Sequence, residues 1–223
     1  MNSMNSVHKM KTLQSNLSIW AIAALLAGGS LTACAQATTG TTAATATTGD
    51  PAKTTLLVPL QQTVTQIKKL VATGDPDFDY AFQAKIHAQG AQNLLKQEIQ
   101  SGKDTALTKM AKSLLTATDA DVTMLDATLR QLKPTRPIQA FSQQQSRNIE
   151  AMSLKLQQTG SSDKLTSNLD KNFSTLLLDH RQDAIDLATT YLQYGKNATL
   201  RTYAQQLIDK SKVEMTQIKA MPK

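Results

Sequence analysis

The sequence predicts an all-α protein: a four-helix bundle made from two copies of one helical hairpin, with a lead helix packed on each copy. Three observations predict it. The stretch from His87 to Leu125 recurs without a gap from His180 to Ile218 at an offset of 93 residues, matching His87/His180, Gln89/Gln182, Ala91/Ala184, Leu94/Leu187, Gly102/Gly195, Lys103/Lys196, Leu107/Leu200, Ala111/Ala204 and Leu114/Leu207. Apolar residues return at three- and four-residue spacing through long segments with few Gly or Pro. Aromatic residues are only 4% of the 223, which favours helices over strands. A repeated two-helix unit cannot bury its apolar face alone, so the copies are expected to pair about an approximate two-fold axis.

Residues 1–33 read as an export signal: Lys9 and Lys11 are a positive n-region, Ile19 to Leu26 an apolar core too short to span a membrane comfortably. Leu31-Thr32-Ala33-Cys34 follows and resembles the end of a bacterial lipoprotein signal, which implies that Cys34 becomes the N-terminus and carries lipid. Cys34 is the single cysteine, so no internal disulfide can form. Residues 34–53 are the lipidated Cys and a Thr/Ala/Gly linker that cannot bury enough surface to fold. As a tether it would reach on the order of 25 Å. Loss of Lys9 and Lys11 with the signal takes 24 basic residues to 22 against 17 acidic, and the formal charge from +7 to +5.

The helical domain is expected over residues 54–223. A first helix covers Leu56 to Ala72, with Leu57, Leu60, Val64, Ile67 and Val71 on one stripe, Pro59 in its opening turn and Gly74 ending it. Asp75-Pro76 starts a second helix that stops at Gly102, and Asp104 caps a third that runs to about Leu132. The fourth spans Gln139 to Gln158 before Gly160 breaks it; the fifth runs from about Lys164 to Tyr194, and the sixth from Ala198 to Met221. The repeats then occupy about 77–132 and 170–221.

Chemistry could reside in the polar residues on the apolar stripes. Tyr80, Ala84, His87, Ala91 and Leu94 share one helix face, as do Phe173, Leu177, His180, Ala184, Leu187 and Tyr191, so both histidines should point inward. Leu107, Leu114 and Asp121, like Leu200, Leu207 and Glu214, are spaced by seven, which turns both carboxylates inward. Counted outward from each Gly-Lys turn, His87 lies nearly level with Asp121 and His180 with Glu214.

Both hairpins resemble the domain of unknown function 305, an extracytoplasmic, ferritin-like helical domain with a signature of roughly M-x-x-H-H-Q-x-A, a Gly-Lys turn, and Q-x-x-E-I-x-x-M. The first copy reads Ala84, His87-Ala88-Gln89-Gly90-Ala91, Gly102-Lys103, then Thr118, Asp121-Val122 and Leu125. The second reads Leu177, His180-Arg181-Gln182-Asp183-Ala184, Gly195-Lys196, then Ser211, Glu214-Met215 and Ile218. The resemblance implies metal handling, copper in particular. Here the second histidine is Ala88 or Arg181, and the signature methionines are Ala84, Leu177, Leu125 and Ile218. The domain of unknown function 4142 shares the long-helix pattern but not the His-x-Gln-x-Ala element of both copies.

Two readings follow. In one, His87, His180, Asp121 and Glu214 form a site for a transition metal ion, suited by its nitrogen and oxygen donors to iron, zinc or manganese better than to copper(I). In the other, each histidine is a core residue paired with the carboxylate of its own hairpin, and the chain is a non-catalytic envelope lipoprotein, bound to the membrane through Cys34 and meeting an envelope protein through a surface such as the Gln-rich fourth helix. In a Gram-negative cell, Ala35 in place of Asp points to the outer membrane, facing the periplasm. An enzyme is not expected: there is no phosphate-cradling Gly loop, nucleophile elbow or His-Glu-x-x-His. Dispersed charge argues against nucleic acid. Met110, Met124, Met152, Met215 and Met221 read as core filler, and Asp183 and Asp186 as a solvated face.

Overall fold

A computed structural model describes residues 50–221; the expected signal segment, Cys34 and most of the linker lie outside them. Six helices follow one another: α1 (Pro51–Lys69), α2 (Pro76–Ser101), α3 (Thr105–Leu129), α4 (Gln139–Ser161), α5 (Leu169–Tyr194) and α6 (Ala198–Ala220). No strand occurs among the described residues, and none of their helices is long and apolar enough to cross a membrane. The protein is an all-α bundle. α2 and α5 pack on each other at the centre, α3 and α6 lie on their own hairpin partners, and α1 and α4 pack together over α2 and α5.

Several boundaries differ from expectation, each for a local reason. α1 starts at Pro51 because Asp50 accepts a cap bond from the Ala52 N–H (2.9 Å), so Pro59 lies in the helix interior. It ends at Lys69 because the Asp79 carboxylate takes the Thr73 N–H and hydroxyl and the Gly74 N–H, holding the following loop away from the helix axis. Gly74 supplies the left-handed turn (φ 83°), and Val71 is exposed rather than on the buried stripe. α3 stops at Leu129, though Leu132 still packs on the core. Gly160 continues α4, with Leu57 against the position its Cβ would take. α5 starts at Leu169, after the Asn168 cap.

The two-fold relation shows most clearly in polar contacts spaced by the same 93 residues. Asp77, at the start of α2, accepts from the backbone N–H of Lys196 and Asn197 in the second Gly-Lys turn (2.9 and 3.0 Å). Asp170, at the start of α5, accepts from the N–H of Lys103 and Asp104 in the first (2.8 and 3.0 Å). Each hairpin thus caps the turn of the other, and α2 and α5 must run antiparallel. The relation extends upstream: Asn172 holds the Thr166 N–H (2.7 Å) as Asp79 holds that of Thr73.

Under each turn sits a large side chain, Tyr191 in the second hairpin and Glu98 in the first. Tyr191 donates its hydroxyl to Asp77 (2.7 Å) and stacks on Tyr80, ring centroids 4.1 Å apart. Glu98 is fully buried, and burial, then Asp170, push its carboxyl up to about 8. Asp170 is pushed up by burial, but the N–H groups of Asp104 and Lys103 outweigh this and hold it below the usual carboxylate range. These fillers explain the glycines. A Cβ on Gly195 would lie 2.0 Å from Tyr191 Cε2, and one on Gly102 would lie 2.4 Å from Glu98 Oε1. Gly195→Ala should therefore cost about 1–3 kcal/mol in urea unfolding, because Tyr191 must leave both its stack and its hydrogen bond. A loss below about 0.5 kcal/mol would show that the turn yields freely.

Candidate functional site

Where α2 and α5 cross the two-fold axis, the duplicated histidines meet. His87 and His180 are each 5% exposed, and their rings stack with centroids 3.7 Å apart and planes 25° apart. His180 Nε2 lies 3.1 Å from the backbone carbonyl of His87. A carbonyl only accepts, so His180 carries its proton on Nε2 and presents a lone pair at Nδ1. His180 Nδ1 and His87 Nε2 have no protein partner.

The environment keeps both rings neutral. Burial holds the His87 pKa down at about 3, with Arg181 and Lys155 adding repulsion. Burial likewise holds His180 well below its ordinary range, reinforced by His87 and Arg181 and only partly opposed by the bond to the His87 carbonyl. Neither histidine is hydrogen-bonded to the carboxylate of its own hairpin, which corrects the expected pairing.

The carboxylates take other positions. Asp121 is half-buried and lines a cavity of about 20 Å³ with both histidines, Arg181, Tyr80 and Tyr203; burial raises its pKa. The cavity has room for one water molecule. Glu214 lies beyond Arg181, whose Nε is 2.5 Å from Glu214 Oε2 as an ion pair without the alignment of a hydrogen bond. Burial raises the Glu214 pKa, and Arg181 opposes the rise. Arg181 is only 6% exposed, a guanidinium held inside the bundle beside the imidazole pair.

The fold therefore brings His87, His180 and Asp121 to one place and assigns Glu214 to Arg181. Imidazole lone pairs lie in the ring plane, so two nearly parallel rings at stacking distance cannot both aim a nitrogen at one ion about 2.1 Å away. Among the described residues no three His, Cys, Asp or Glu side chains converge as metal ligands. As arranged, the four residues do not form one coordination shell.

Sequence reasoning missed four participants. Arg181 is a charge on a buried face, visible in the helical period of α5. Asp77 and Asp170 lie at the repeat offset, just outside the stretch matched above. Asp183 is buried, not solvated: Lys155 pairs with it at 2.7 Å, and burial pushes its carboxyl up to about 6. Four of the five methionines match expectation: Met152 is buried, and Met110, Met124 and Met221 pack on the core, whereas Met215 is partly exposed and outside it.

A comparison with curated proteins and with solved structures finds no match. A family model does match, that of the domain of unknown function DUF305, over residues 130–222. The matched stretch comprises α4, α5 and α6 with the connector before them, and the first hairpin lies outside it. Over residues 130–222 the chain is thus similar to the DUF305 family, the family that the sequence resembles.

Proposed function

We propose that the chain is a non-catalytic lipoprotein of the bacterial cell envelope, anchored through Cys34, whose duplicated DUF305 bundle serves as a binding or structural module. The observation that carries the non-metal reading is the Arg181–Glu214 ion pair beside face-to-face neutral histidines. In that arrangement Glu214 is engaged by the protein's own cation rather than turned to a metal. Against it stands metal handling, of iron, zinc, manganese or copper. The observation favouring that reading is the pair of imidazole nitrogens without protein partners, next to Asp121.

Elemental analysis and calorimetric titration with these ions separate the readings when wild type is compared with His87→Ala/His180→Ala. The proposal expects no stoichiometric metal and a double variant that loses stability only. A bound ion lost in the double variant would establish the metal reading instead. The anchor has its own test: labelled palmitate should mark the wild-type protein and not Cys34→Ser, and the variant should leave the membrane fraction. Labelling that persists in Cys34→Ser would refute lipid attachment at that residue.

A further inference from the structure

On the side away from α3 and α6 a cavity of about 380 Å³ opens between the end of α1, the start of α2 and α4. This falls within the range of about 300–1,000 Å³ usual for small-molecule sites. Ile67, Phe78, Phe82, Phe141 and Ile149 form apolar walls, and Phe82 stands at the rim, 37% exposed. Two buried amides also line it, Gln83 and Gln145, exposed by only 6% and 2%. Gln83 Oε1 and Gln145 Nε2 have no protein partner, so one acceptor on α2 and one donor on α4 are unsatisfied in the lining of the same cavity. A buried amide without partners is disfavoured unless a ligand or solvent supplies them.

The charges around the cavity are already matched. Lys68 and Glu150 pair with each other at 3.1 Å, and the Asp79 oxygens are taken by Thr73 and Gly74. A charged guest would find no free counter-ion there.

We propose that this cavity binds a small uncharged molecule that joins an apolar body to an amide group. The apolar body lies against the phenylalanines. The amide N–H donates to Gln83 Oε1, and its carbonyl accepts from Gln145 Nε2. The site shares no residue with the histidine core, so its failure would leave the envelope reading standing, and the converse also holds.

The test uses the detergent-solubilised full chain and three probes with one body: 3-phenylpropanamide, 3-phenylpropanoate and 3-phenylpropylammonium, titrated by NMR. The amide should bind saturably at one site and at least about tenfold more tightly than either ion, the difference of a matched pair of hydrogen bonds. Gln83→Leu and Gln145→Leu should each weaken the amide by about tenfold, because each removes one of its two hydrogen bonds. Phe82→Asp, at a partly exposed position, should weaken the amide even if the glutamine variants fail to fold. Equal binding of all three probes, no saturable binding of the amide up to its solubility limit, or wild-type affinity in Phe82→Asp would overturn the proposal.

Discussion

As the pH falls from about 6.5 to 4, the double variant His87→Gln/His180→Gln should gain on wild type by ~1.4 kcal/mol per histidine for each pH unit. The sign follows from burial. In the unfolded chain each imidazole takes a proton near its ordinary pKa of about 6.5. In the fold His87 resists until about 3, and His180 is held well below its ordinary value. The unfolded state therefore binds more protons, and the stability present above pH 6.5 is lost as the pH falls. The groups facing the pair offer a proton little shelter: Arg181 and Lys155 are cationic, Asp179 and Asp183 lie on one side, and Thr118, Asp121, Tyr80 and Tyr203 on the other.

Wild type alone would show a gentler slope, because two buried acids work in the opposite sense. Glu98, raised to about 8, and Asp183, raised to about 6, bind protons more tightly in the fold, and their charged forms cost stability as the pH rises through those values. The difference between wild type and the double variant isolates the histidines. Urea unfolding at several pH values measures it, and parallel curves would mean that the imidazoles titrate normally in the fold.

Arg181→Met should destabilise the protein by about 3–5 kcal/mol, the usual cost of leaving one partner of a buried ion pair alone. The side chains of Arg181 and Glu214 are 7% and 17% exposed, so solvent screens them little. Replacing both, in Arg181→Met/Glu214→Leu, should restore most of the loss, since a well-packed apolar pair avoids desolvating two charges. Thermal and urea unfolding of the single and double variants form the cycle. A single variant within about 1 kcal/mol of wild type would place the guanidinium in contact with water.

Much of the bundle was legible because a duplication writes it twice. The 93-residue offset and the apolar stripes locate both hairpins, their Gly-Lys turns and the inward histidines. Their mutual stacking was not legible, because helical period gives the direction of a side chain but not the rotation of one hairpin about the other. Arg181 was read as a lost ligand, although a long buried cation must find a carboxylate, and Glu214 on the facing helix supplies one. Asp183 looked solvated because the sequence does not show that Lys155 on α4 covers it. The early start of α1 depends on the Asp50 cap, local chemistry that overrides proline as punctuation, and α4 runs on through Gly160 with Leu57 packed beside it. The cleft beside α1 joins three helices distant in sequence, and no periodicity announces it.

On this reading the two-fold axis runs between two neutral, stacked imidazoles that serve packing. Nitrogen-15 NMR of the histidine side chains tests it most directly, recorded from about pH 7 to pH 5 and again with added zinc. Neutral rings throughout, with the His180 proton on Nε2 and no shift on adding zinc, are the predicted result. A midpoint near pH 6.5 for either ring, or a nitrogen that moves when zinc is added, would contradict it.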